Sequence, residues 1–222
     1  MNIDSLVIEV TRRCNLECAH CLRGNSESID LNLNYVKTLF KHLKYISTIT
    51  FTGGEPSLVP DKISGIIDIA KRMNVIIGSF YIATNAVHAS DKFLISVIKL
   101  YSYCDDNEIS ALNYSNDEYH EMNPKAVDRL KVFSFTSAKY IESPRYENIL
   151  AEGRAENWTD RIVKPDIYDL EDGDIRDGTV YLNCEGNIIA GCDFSYKNQR
   201  DKNNIICHVD DFSVKRFKRF RG

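Results

Sequence analysis

The chain has 222 residues, 43% hydrophobic and 27% charged, the balance of a soluble globular protein with room for one substantial domain and a small appendage. Its net charge of −4 argues against bulk affinity for nucleic acid or an anionic membrane. No apolar run approaches the ~20 residues that span a bilayer. Met1-Asn2-Ile3-Asp4 has neither the basic start nor the apolar core of a signal peptide, and seven cysteines, an odd number, fit a reducing cytoplasm.

Residues 6–10 are short, β-branched and apolar, and predict a buried strand. Cys14, Cys18 and Cys21 follow, three thiols within eight residues. Thiolates are soft ligands for iron–sulfur clusters or zinc, and three of them leave one coordination position open for chemistry. Structural cysteines have no reason to cluster so tightly. Zinc needs a fourth ligand, and His20, adjacent to Cys21, must fold back to supply it. Apolar residues at helical spacing over 31–43, then a strand over 46–52, complete a βαβ unit and imply parallel pairing. That strand runs into Gly53-Gly54-Glu55-Pro56, where paired glycines let the backbone turn and approach a ligand closely. An ordinary strand-to-helix turn has the same look.

A helix over 60–73 leads to a strand over 75–83, ending in Thr84-Asn85-Ala86. Asn85 either caps a turn or faces a ligand. A helix over 91–102, with Cys104 as a core thiol near its end, precedes a fourth strand over 108–112 that places Asn113 at its tip. A fifth strand is expected over 130–135 and a sixth over 148–152, followed by Gly153-Arg154-Ala155. Strands alternating with helices build an α/β fold, an open, partial (βα)6 TIM-type barrel whose ligand loops gather at the C-terminal strand ends.

With these residues in view, Cys14-Asn15-Leu16-Glu17-Cys18-Ala19-His20-Cys21 after the first strand, joined by Gly53-Gly54-Glu55 after the second, resembles the radical S-adenosylmethionine (radical SAM) superfamily. The resemblance implies a [4Fe-4S] cluster on Cys14, Cys18 and Cys21, whose open iron chelates S-adenosylmethionine. It implies that Gly53, Gly54 and Glu55 hold the cofactor's amino group and that Asn85 faces it. Asn113 would contact the ribose, and Arg154 would hold the carboxylate, unless it serves in an ordinary ion pair. His120, in a stretch common after the fourth strand in such enzymes, is a further candidate. The implied activity is reductive cleavage to a 5′-deoxyadenosyl radical that removes a hydrogen atom from substrate, fed by a one-electron reductant protein such as flavodoxin or ferredoxin. The wording of the cysteine loop resembles enzymes that epimerise or cross-link ribosomally made precursor peptides. An activase of a glycyl radical enzyme, a small-molecule enzyme and a non-catalytic metal-binding protein are the alternatives.

Residues 1–157 are thus expected to form the barrel core, and 158–222 a linker and appendage. Residues 159–178 are acidic and aperiodic, as expected of a surface linker. Residues 179–183 and 188–191 flank Glu185-Gly186-Asn187, a hairpin signal. From 180 to 196 the chain resembles the opening of the shortened SPASM ("twitch") module. Cys184, Cys192 and Cys207 are present there, but a fourth thiol is not obvious, and either a two- or a three-residue hairpin turn keeps Cys184 and Cys192 well apart. A second cluster is therefore disfavoured, and a hairpin closing the barrel mouth is the preferred reading. The basic tail with Phe217 and Phe220 suggests a terminal helix packed through its phenylalanines.

Overall fold

β1 (Asn2–Thr11) runs through the middle of the sheet, with Leu6, Val7, Ile8 and Val10 all buried, as a strand covered on both faces requires. The computed structural model describes residues 1–117, 119–139 and 149–220. On one side of β1 lies β2 (Tyr45–Gly53), then β3 (Ile76–Thr84), β4 (Ala111–Ser115) and β5 (Thr136–Lys139), each parallel to its neighbour. α1 (Leu33–Phe40), α2 (Pro60–Met73), α3 (Asp91–Tyr103) and α4 (Pro124–Leu130) occupy the connections. Each has a readable boundary: Asn32, Ser90 and Asn123 cap the starts of α1, α3 and α4, and Asn74 ends α2 in the left-handed conformation at φ 54°. Ile63, Ile66, Ile67 and Ala70 form the buried face of α2.

Three expectations shift. Strand four starts at Ala111 because residues 106–110 are spent on a turn, in which the Ser110 amide donates to Asn107 O. Residue 130 ends a helix rather than opening a strand: Asn123 caps it, Pro124 stands in its first turn, and Ala126, Val127 and Leu130 bury one face. The fifth strand therefore begins at Thr136. No strand is present over 149–152, and residue 148 lies outside the described residues.

The sixth parallel strand comes from farther along. β6 (Leu170–Glu171) and β7 (Asp174–Leu182) form a tight hairpin within the stretch expected to be linker. Asp172 and Gly173 both take positive φ there, 51° and 86°, the geometry that an Asp-Gly turn favours. β7 then lies parallel to β1 on its free side, so six strands, β1–β5 and β7, run parallel. β8 (Asn187–Ala190) and β9 (Ile205–His208) continue the sheet antiparallel, in the order β5-β4-β3-β2-β1-β7-β8-β9. Leu182 pairs with Ile188 and the Asn183 amide donates to Asn187 O, leaving Cys184, Glu185 and Gly186 as a three-residue turn. Val180, Leu182, Ile188 and Phe217 belong to the same buried cluster as Leu6, Ile49 and Phe80, so neither sheet nor core breaks near residue 157.

The tail closes the core. α5 (Val214–Phe217) buries Phe217 against Tyr168 and Phe212, with ring centroids 5.0 and 5.7 Å away. Phe217→Ala is expected to cost about 3–5 kcal/mol in chemical denaturation, the usual toll of emptying a buried aromatic site. Among the described residues, no helix is long and apolar enough to cross a membrane.

Candidate active site

The site is built where β1 and β2 end side by side. Thr11 is opposite Gly53, and the backbone pairing continues past the strands: the Gly54 amide donates to Thr11 O and the Glu55 amide to Arg13 O, both at 2.8 Å. This approach tolerates no side chain. A Cβ on Gly53 would lie 2.0 Å from Thr11 O, and one on Gly54 2.1 Å from Arg13 O; Gly53 also holds φ +134°. The glycines seat the start of the cysteine loop itself.

Glu55 then ties β2 to β3. Its carboxylate is 1% exposed and accepts from the Ser57 amide (2.9 Å), Thr84 Oγ1 (2.6 Å) and the Asn85 amide (2.8 Å). A Glu55→Gln chain keeps one acceptor and sets its NH2 against a backbone donor. The expected loss is about 1–3 kcal/mol of stability, read by urea denaturation.

A cavity of about 560 Å³ opens over the C-terminal ends of β2–β5, bordered by Thr52, Thr84, Ser115 and Lys139 from those ends. Cys14, Cys18 and Cys21 line its other wall with His20 and Arg23, and Gly53, Gly54, Glu55, Asn85 and His120 face the same space. The three thiols share the cavity without converging: among the described residues, no three thiol, imidazole or carboxylate groups stand close enough to grip a metal ion. The donor set nonetheless fits an iron–sulfur cluster. All three are soft thiols on one loop, and all are only part-buried, so they can turn without repacking the core. They are also electrostatic neighbours. Burial pushes the Cys18 thiol up to about 11, aided by Cys21 and Cys14; burial also raises Cys14, with the charges of Glu55 and Cys21 adding to it. Binding a metal must therefore displace protons from this loop. Among the described residues His20 Nδ1 is buried without a hydrogen-bond partner, and burial, then His120, depress the imidazole's affinity for a proton.

Asn85 caps a local turn and lines the cavity. Its Oδ1 accepts from the Val87 amide in a local turn, while Nδ2 donates to Asn15 Oδ1 at 2.9 Å and points to Cys14 Sγ at 3.9 Å. His120 reaches the cavity with Nδ1 2.7 Å from Asp117 Oδ1 and its ring edge-on to His20. Asn113 does not reach the cavity. Strand four is shifted three residues along from its expected position, so Asn113 sits mid-strand, bonded to Tyr81 Oη and Ser137 Oγ, and Ser115 holds the strand tip. Arg154 is also absent from this cavity. Its guanidinium donates to Cys18 O (3.1 Å) and Asn25 Oδ1 (3.1 Å) and its amide to Cys21 O (3.0 Å), bracing the cysteine loop from a second cavity of about 290 Å³ behind it.

Two arginines escaped the sequence reading. Arg12, fully buried just ahead of Cys14, donates to Glu9 (2.7 Å), Glu27 (2.9 Å) and Gln199 (2.9 Å) and stacks on Tyr196. Arg23, two residues past Cys21, donates to Phe194 O at 2.6 Å. Both ends of the cysteine loop are thus moored to residues that arrive 171 to 187 positions later. Of the late cysteines, Cys184 stands in the hairpin turn and donates its thiol to Glu9 O, Cys207 lies in β9 opposite Ile188, and Cys192 follows β8 beside Asp193.

A description of the radical SAM superfamily matches residues 8–130, more than half of the chain, which therefore belongs to that superfamily of enzymes. The chain is 31% identical over 138 residues to GTP 3',8-cyclase of Clostridium perfringens, covering 58% of this chain and 39% of that protein. It is 30% identical over 102 residues to the uncharacterized protein MJ0907 of Methanocaldococcus jannaschii, covering 43% and 35%. It thus spans little more than a third of either relative's length. In fold it is similar to native anSMEcpe with bound AdoMet and Cp18Cys peptide, at TM-score 0.61 and 12% identity over 98% of this chain and 80% of that one. The architecture is accordingly an α/β partial barrel.

Proposed function

We propose that this chain reductively cleaves S-adenosylmethionine and directs the resulting radical at a peptide. One observation carries the reading: the three-thiol loop, the Gly53–Glu55 turn and Asn85 face one cavity at the strand ends. Cys14, Cys18 and Cys21 would hold a [4Fe-4S] cluster, which when bound supplies one electron to the sulfonium cofactor and yields a 5′-deoxyadenosyl radical. The chain's own part is placement. Gly53 and Gly54 bring the backbone into line with the cysteine loop, Glu55 fixes the turn and the Asn85 amide, and the cavity walls limit water around the reacting groups. A one-electron reductant protein such as flavodoxin or ferredoxin would feed the site.

The peptide is favoured because the fold neighbour that matches nearly the whole chain was solved with one. A second reading, action on a small molecule, draws on the likeness to GTP 3',8-cyclase. The chain, reconstituted anaerobically with iron and sulfide and given dithionite and S-adenosylmethionine, should release 5′-deoxyadenosine, and Cys14→Ala should release none. No release from the parent defeats the proposal. Stimulation of release by GTP, with none by a precursor peptide, would move the substrate to the second reading.

A further inference from the structure

Two arginines and two glutamates form a closed ring where the cysteine loop begins and ends. Arg12, the first residue after β1, reaches Glu27 at 2.9 Å and Glu185 at 3.4 Å. Arg200 bridges the same two carboxylates from the other side. It donates to Glu27 at 2.9 and 2.6 Å and to Glu185 at 3.0 and 2.9 Å. Charges alternate around the ring, so each member has opposite charge on both sides. The Arg12 side chain is excluded from water, whereas that of Arg200 is 45% exposed, so salt can screen the outer half of the ring. Hydrogen bonds from Arg200 hold Glu27 below the ordinary carboxylate range, against the pull of burial.

The ring joins both ends of the loop to the C-terminal segment. The Glu27 amide donates to Arg12 O at 3.0 Å and the Arg12 amide to Ile29 O at 2.8 Å, and Cys14, Cys18 and Cys21 all lie between residues 12 and 27. Glu185 stands in the β7–β8 turn, and Arg200 ends a short helical turn over 198–200. Holding loop ends together costs chain entropy that two backbone bonds offset only in part. Two-pronged arginine contacts within a network are the setting in which part-exposed ion pairs contribute measurably. We propose that Arg200 is a positioning residue for the cysteine loop, a latch from the C-terminal segment that keeps residues 12 and 27 together and so keeps the three thiols at the cavity wall.

The latch belongs to the metal-free chain; its consequence for iron rests on the cluster proposed above, and the test separates the two. Residue-resolved hydrogen exchange on the metal-free full chain reads the Arg12 and Glu27 amides, with the amides of α4, in the connection to the far edge strand β5, as the reference. In Arg200→Met the two loop amides should exchange on the order of tenfold faster, with α4 unchanged. Glu185→Gln, which opens the ring at another member, should act on the same amides. Salt at about 1 M should speed them in the parent and have little further effect in Arg200→Met. Unmoved loop amides overturn the proposal, and so does an equal acceleration in α4, which would make Arg200 a support of the whole fold. After anaerobic reconstitution, Arg200→Met should lose its iron to a chelator several-fold faster than the parent. Equal retention despite faster loop exchange would mean that the latch does not reach the thiols, and overturns the proposal. A parent that loads no iron defeats the cluster reading, while the exchange measurement still decides the latch.

Discussion

Arg12→Ala is expected to cost about 3–5 kcal/mol of folding free energy at neutral pH, because it strands the Glu9 carboxylate where both partners are wholly excluded from water. The effect should be strongly pH-dependent. Burial alone would push the Glu9 carboxyl up, but Arg12, Arg23 and the Cys184 amide outweigh it and hold the group below its ordinary value of 4.5. A depressed carboxyl contributes stability that is complete above the unfolded value and disappears as pH falls through the folded one. The gap between parent and variant should therefore be full above about pH 4.5 and narrow in acid, since protonating Glu9 in the parent dissolves the same pair. Urea denaturation at pH 7 and pH 4 reads both numbers. A gap that stays constant would mean that Arg12 works through packing on Tyr196 rather than through its charge.

Gly53→Ala is the second large effect. The added methyl meets the Thr11 carbonyl at 2.0 Å, a backbone atom that cannot swing away, at a φ of +134° that L-residues rarely adopt. Overpacking and backbone strain together should cost about 3 kcal/mol or more. Relief requires β2 to part from the chain entering the cysteine loop, so iron uptake should fall with stability. Gly65→Ala is the control. Its Cβ would meet only the end of the Leu33 side chain, which can move, so it should lose less stability and keep the iron. Thermal denaturation and iron analysis of the two variants give the comparison.

The local parts of this site were legible in the sequence. The thiol spacing, the glycine pair and the Thr-Asn strand end each depend on neighbours a few positions away, and all three meet in one cavity. The reason for the glycines was only partly readable: their missing side chains make room for residues 11–13, some forty positions earlier. Residues 130–135 looked like a strand because apolar and aromatic side chains also suit a helix end and the turn after it; Asn123-Pro124 was the signal that should have decided it. Asp172-Gly173 was likewise a hairpin signal inside a stretch read as linker. What no local pattern could disclose is the mooring of the cysteine loop. Arg12 finds Gln199 and Arg23 finds Phe194 only after β7 has slotted in beside β1. Arg154 was expected to hold a carboxylate, either the cofactor's or that of an ion pair, but the fold gives it the carbonyl of Cys18 and the amide oxygen of Asn25.

The most direct check is iron and acid-labile sulfide per chain after anaerobic reconstitution of the parent and of Cys14→Ala, Cys18→Ala and Cys21→Ala. About four irons with matching sulfide in the parent, collapsing in every single variant, is the predicted result. A parent that stays colourless, or variants that load as much iron as the parent, would contradict the assignment of these three thiols as cluster ligands.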